Sequence, residues 1–260
     1  MSVDALLADL RAEHDDLARL VEGADLSTST PAEGWDVHDT ISHLLVFDAE
    51  ALRAATDPEG FTARLHDLLL GPEPERFVDR MTEERRGVPA AQQLREWHDG
   101  LDALVAGTSG LDPSTRVPWY GPPMGLRSCL TARVMEYWAH GQDVADGLGA
   151  TRTPTARLRH VAHLGVRTRS FSYVNRGLPD PGGDVRVELE APDGERWTWG
   201  EGDDAVRGTA LDFCLLVTQR RARRDLSLVA TGPLADGWLD VAQCFAGAPG
   251  PGRAPTTDGD

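Results

Sequence analysis

The 260-residue sequence contains no lysine; its 26 basic residues are all arginines, set against 42 acidic ones, for a formal net charge of −16. The shortage of positive charge excludes the basic stripe that neutralising a phosphate backbone requires, so nucleic acid is not an expected partner. The densest basic run, Gln219-Arg220-Arg221-Ala222-Arg223-Arg224, is short and ends against Asp225. An arginine-only complement points to a GC-rich genome and says little about function. Cysteine is scarce too. Cys129, Cys214 and Cys244 form an odd, widely spaced set, which implies no disulfide framework, and their apolar neighbours mark them as inert core residues. No stretch approaches the roughly 18 apolar residues of a membrane span, and the amphipathic, acidic start of the chain has neither a basic n-region nor an apolar h-region. A cytoplasmic location without a membrane partner is therefore expected.

What is present is ordinary for a soluble globular protein: 40% hydrophobic and 26% charged residues, enough for one large domain or two modest ones. Apolar residues recur at helical spacing from Val3 to Val21 until Gly23 stops them. A second helix, N-capped by Asp36, is expected to run to about Ala55 with Val37, Ile41, Leu44, Leu45 and Leu52 as its stripe. Short helices over Phe61–Leu70 and Pro74–Glu84, a third long helix over Ala90–Val105 and a fourth over Leu126–Asp146 follow, with Pro118 to Pro123 as a rigid loop. Four long helices within residues 1–150 suggest an antiparallel four-helix bundle. Beyond Thr153-Pro154 the pattern changes. A helix over Ala156–Tyr173, strands over Val185–Glu190 and Arg196–Gly200, a helix over Gly208–Arg221, a strand over Leu226–Ala230 and a helix over Leu234–Phe245 predict a smaller α+β domain over 151–247. The Pro/Gly/Asp-rich residues 248–260 read as a loose tail. The expected fold class is thus α+β.

The residues with chemical promise lie on the fourth helix. Glu136 and His140 are four apart, hence about 40° apart on one helical face, and Asp143 shares that face. A carboxylate and an imidazole at this spacing can bind one ion together, given a third ligand from another helix. His43 lies mid-helix beside Leu44 and Leu45 and is expected to point inward. Each has an ordinary alternative: an exposed i,i+4 pair for Glu136 and His140, a hydrogen-bonded core histidine for His43. The neighbours Val134, Tyr137, Trp138 and Val144 weigh against exposure, because a glutamate inside so apolar a helix must be paired or metal-bound. His38, about 140° from His43, is expected to serve the capping turn, and His160 and His163 to lie on the surface. Asp48 fits a group supporting the metal ligands from behind, an acid–base role or a polar face, and Trp35 either packing or a lid.

Gly34-Trp35-Asp36 with His43-Leu44, followed by Glu136-Tyr-Trp-Ala-His140-Gly-Gln-Asp143, resembles the DinB-like superfamily, and within it the mycothiol-dependent maleylpyruvate isomerase family of actinobacteria. The resemblance implies a helical bundle followed by an α+β domain. It also implies a divalent metal held by His43, Glu136 and His140. A low-molecular-weight thiol, mycothiol, would be cosubstrate, and an arginine of the second domain would bind the thiol, with Arg220 or Arg221 as candidates. Asp143 would act beside the triad as an orienting or catalytic group. Zinc suits this donor set best, with Ni(II) or Fe(II) as alternatives. The expected partners are a small electrophilic substrate and the thiol, in a monomer or homodimer. Three functions stay open at this point: a thiol-dependent isomerase or S-transferase, a thiol-independent metal enzyme such as a lyase, hydrolase or cyclase, and a metal- or ligand-binding module without turnover.

Overall fold

The computed structural model describes residues 2–71, 73, 76–250 and 252–255, and its backbone divides into two compact units, Met1–Thr151 and Arg152–Asp260. Both combine helices with short or longer strands, ten helices among the described residues, which makes the chain α+β.

The first unit is dominated by four long helices: α1 (Val3–Val21), α2 (Val37–Thr56), α5 (Ala90–Thr108) and α6 (Leu126–Gly147). Between α2 and α5 lie α3 (Pro58–Leu70) and α4 (Phe77–Glu83), the latter shorter than the sequence suggests; Pro74, its expected start, lies outside the described residues. Local chemistry fixes the starts. Ser2 Oγ accepts from Ala5 N at 3.2 Å and Asp36 Oδ1 from Asp39 N at 2.8 Å, each satisfying a backbone donor that the first turn leaves over. Pro58, pre-set for helical φ, opens α3. The apolar stripes then decide the packing: α2 lies against α5 and α6, and α1 against α6. Leu6, Leu10, Leu17, Ile41, Leu44, Leu101, Leu104, Leu130 and Val134 meet in one core with no exposed surface. The expected loop Pro118–Pro123 is the tip of a two-residue hairpin, β1 (Arg116–Val117) with β2 (Met124–Gly125), which sequence patterning does not reveal because the strands are too short to alternate.

The second unit holds a four-stranded sheet in the order β4-β3-β5-β6, from β3 (Val185–Glu190), β4 (Arg196–Trp199), β5 (Asp204–Thr209) and β6 (Val229–Thr231). The β3–β5 pair is parallel and the other two are antiparallel. Alternation in β3 buries Val185, Val187 and Leu189 on the face that α9 (Ala210–Val217) covers, while α10 (Pro233–Val241), with Trp238 and Leu239 buried, packs against β5 and β6. Several expectations need correction here. The expected helix Ala156–Tyr173 is two, α7 (Leu158–Arg167) and α8 (Arg169–Asn175). They part at Thr168, whose hydroxyl lies within hydrogen-bonding distance of both Leu164 O and Gln243 O and so competes with the helical ladder. The expected helix Gly208–Arg221 loses both ends. Gly208 belongs to β5, where it pairs with Leu189 of β3, and Thr209 Oγ1 caps α9 by accepting from Asp212 N at 3.0 Å. At the other end α9 stops at Val217, and Gln219 takes a left-handed φ of 59°. β6 starts three residues later than expected, and α10 ends at Val241 rather than Phe245. Residues 248–250 and 252–255 carry neither helix nor strand. No described helix is long and apolar enough to cross a membrane.

Candidate metal centre

Helices α2 and α6 bring His43, Glu136 and His140 together. His43 Nε2 lies 3.3 Å, and His140 Nε2 3.1 Å, from the same Glu136 oxygen, Oε2. These three donor atoms sit closer than 4.8 Å to one another. Two nitrogens and an oxygen about 2.0–2.2 Å from a common centre would stand roughly 3–3.4 Å apart, so both contacts have the spacing of ligands around one ion. The donor set of two imidazoles and a carboxylate suits a divalent transition metal. Asp143, one turn beyond, places Oδ2 3.2 Å from His140 Nδ1, the position of a carboxylate that orients a ligating imidazole. On the other ligand, His43 Nδ1 is buried without a hydrogen-bond partner, so that imidazole is held by ring packing and by its Nε2 contact with Glu136.

That packing is aromatic. Trp35 lies 5.1 Å from the His43 ring and stacks on His140 at 5.8 Å with 20° between planes, while Phe47 flanks His43 at 4.7 Å. Trp35 is half-buried, so it packs on the imidazoles and also covers them. Its loop is held down by Thr30 N donating to Trp35 O at 2.9 Å, and Gly34 turns it with φ 75°. The same loop touches the end of α6 at Gly147, where a Cβ would come 2.7 Å from Ser29 O.

Burial and neighbouring charge set the protonation. Burial draws the His43 imidazole down to about 4 against the opposing pull of Glu136, so the ring is neutral at pH 7. Burial alone would raise the Glu136 carboxyl, but hydrogen bonds from His140 and His43 outweigh it and hold it well below the ordinary glutamate range. The site thus presents a carboxylate with a neutral imidazole, the forms in which these side chains ligate metals.

The other expected residues fare differently. Arg220 and Arg221 lie past the end of α9, with Arg220 Nη1 donating to Thr218 O and Arg221 Nη1 to Arg220 O, each at 2.6 Å. His38 is not a solvated capping residue: it is buried, and its Nε2 meets Val88 O at 2.9 Å. Asp36, His38 and Asp39 form another cluster with metal-ligand spacing. Its atoms are already engaged, however, since Asp36 caps α2 and Asp39 binds Arg86 Nε at 2.9 Å. Of the two histidines expected on the surface, His163 is exposed whereas His160, in the first turn of α7, is buried. Asp48 is fully buried, so the polar-face reading fails. The three cysteines are free and buried. Sequence reasoning passed over Arg133 and Phe47; the signal for Arg133 was an arginine three residues before Glu136 in the same apolar helix.

The sequence profile described as the mycothiol maleylpyruvate isomerase N-terminal domain matches residues 7–145, more than half of the chain. The chain belongs to this family. Proteins similar to it include an uncharacterised protein of Mycobacterium tuberculosis, found in two strains. Each copy is 45% identical over 252 residues, spanning 95% of this chain and 97% of the relative. Among solved structures, the crystal structures of the mycothiol-dependent maleylpyruvate isomerase and of a mutant of it share the fold. Their TM-scores are 0.57 and 0.58 at 17% and 16% identity, covering 90% of this chain and 96% of theirs.

Proposed function

We propose that this protein is a divalent-metal enzyme that uses a low-molecular-weight thiol, mycothiol or one of its class, to isomerise or S-conjugate a small electrophilic substrate. We further propose that its four long helices form an antiparallel bundle around the metal. The observation that carries this reading is the convergence of His43 Nε2 and His140 Nε2 on Glu136 Oε2, in a chain of a family named for mycothiol chemistry. Zinc is the metal we favour, with Ni(II) and Fe(II) suited to the same donors. When bound, such an ion would lower the pKa of a coordinated thiol and so supply thiolate at neutral pH.

The residues of the chain do the rest. His43 is kept neutral by burial, so its lone pair is available at pH 7. Glu136 brings the one negative charge of the triad, and Asp143, whose Oδ2 lies 3.2 Å from His140 Nδ1, is the proposed orienting carboxylate. Trp35 and Phe47 shield the imidazoles from water on two sides, which strengthens every electrostatic contact inside. Arg220 and Arg221 are the proposed partners for a carboxylate of the substrate or for the thiol. A small conjugated enone acid suits a thiolate, whose addition to the β-carbon moves the π electrons onto the carbonyl oxygen as an enolate. Rotation about the resulting single bond and expulsion of the thiolate return the geometric isomer, whereas return of the thiol's proton to the enolate carbon gives the conjugate.

The test is mass spectrometry and chromatography of the metal-loaded protein with mycothiol and a panel of conjugated enone acids. Isomer or conjugate formed only when both metal and thiol are present supports the reading. Turnover at the same rate without thiol overturns its thiol half.

A further inference from the structure

A second polar cluster lies behind the triad, and the proposed chemistry makes no use of it. One turn before Glu136 on α6, Arg133 is only 2% exposed and reaches across to α2 with two nitrogens. Its Nε donates to Asp48 Oδ1 at 3.0 Å and its Nη2 to Leu44 O at 3.1 Å. The other Asp48 oxygen accepts from Tyr137 Oη at 2.5 Å, and that hydroxyl accepts from Trp97 Nε1 of α5 at 2.9 Å. Asp48, Tyr137 and Trp97 have no exposed surface.

The placement of these partners is what matters. The two α2 groups that Arg133 grips are Leu44 O, next in the chain to His43, and Asp48, little more than a turn beyond it. The two α6 groups that grip Asp48 are Arg133 and Tyr137, which flank Glu136. An apolar helix contact tolerates sliding, because any methyl can meet any other. A planar guanidinium fork does not, since its donors must meet fixed acceptors in direction as well as distance. Buried ion pairs are poor evidence of stability, and fixing register is their best-attested use.

We propose that the Arg133–Asp48 pair positions the metal centre, setting the register of α2 against α6 so that His43 Nε2 meets Glu136 Oε2. Arg133 and Asp48 are positioning residues: their hydrogen bonds go to each other, to Leu44 O and to Tyr137, not to His43, Glu136 or His140. The inference rests on the metal reading above and deepens it.

The test uses the full chain and Co(II) alone as probe, reading affinity, the visible absorption spectrum and the urea midpoint without metal. An Arg133→Met, Asp48→Leu double variant removes both charges at similar volume. It is expected to keep a midpoint near that of the unaltered protein, to bind Co(II) about 10–100-fold more weakly, the usual effect of losing an orienting partner, and to show a changed spectrum. Arg133→Lys keeps the charge but cannot span both acceptors, and is expected to change the spectrum as well. Unaltered Co(II) affinity and spectrum in the double variant overturn the proposal. If the double variant does not fold, Arg133→Lys decides: Co(II) binding like the unaltered protein, or failure to fold, makes the pair a stability element and overturns positioning. Absence of Co(II) binding by the unaltered protein is a different result, and sinks the metal reading itself.

Discussion

Helices α2 and α6 carry two polar clusters side by side, one fully buried and one partly, and they are built in opposite ways. In the Asp48–Arg133–Tyr137–Trp97 cluster donors and acceptors are matched: the carboxylate meets a guanidinium and a phenol, and the phenol meets an indole. In the His43–Glu136–His140 cluster two imidazole nitrogens share one carboxylate oxygen, and His43 Nδ1 has no partner. A buried network that satisfies itself is scaffold, because nothing is left over to bind. A cluster whose donor atoms crowd one point has capacity to spare, and that surplus marks the site. The difference teaches that burial of charge alone does not locate function.

The contrast shows most visibly if the triad can be dismantled without unfolding. His43→Ala and His140→Ala are each expected to abolish stoichiometric metal binding while circular dichroism stays that of the unaltered protein. Elemental analysis showing full metal in both variants would remove the triad.

In the matched cluster the opposite holds. Arg133→Met alone strands the Asp48 carboxylate in the core and is expected to cost about 3–5 kcal/mol of stability, read as a lower urea midpoint. A loss under about 1 kcal/mol would mean that Asp48 finds other partners and the cluster is not self-contained.

A third polar group, on α1, separates burial from ligation through pH. His14 packs on Trp97 with ring centroids 4.1 Å apart, and burial draws its imidazole from 6.5 down to about 4 despite the hydrogen bond to Asp15. Between those values the unfolded chain holds more protons than the folded one, so stability is fully present above about pH 6.5 and falls as the pH drops towards 4. The expected loss is on the order of 2–3 kcal/mol, and His14→Gln should flatten that part of the profile. Urea titrations with the same slope in both proteins would argue against it.

Within the triad, Glu136→Gln is expected to weaken metal affinity more than Asp143→Asn, whose effect should be about 10–100-fold. Titration giving the reverse order would exchange their roles.

Much of this was legible along the chain. The long helices were, because a 3.6-residue period and capping residues such as Ser2 and Asp36 are local signals. Glu136 and His140 were legible as a pair, since four residues on a helix fix a shared face whatever surrounds it. The hairpin around Trp119, the break at Thr168 and the strand through Gly208 were not. Each depends on partners distant in sequence, such as Gln243 O for Thr168 and Leu189 of β3 for Gly208.

What the sequence determined by itself was therefore the α+β class, the lack of positive charge and the face shared by Glu136, His140 and Asp143. Only the tertiary structure decided that His43 meets that face, that Arg133 and Asp48 pair behind it, and that Trp35 stacks over it. The reason is distance along the chain: 93 residues separate His43 from Glu136, and 85 separate Asp48 from Arg133. Contacts of that range are set by how whole helices pack, which no local pattern encodes.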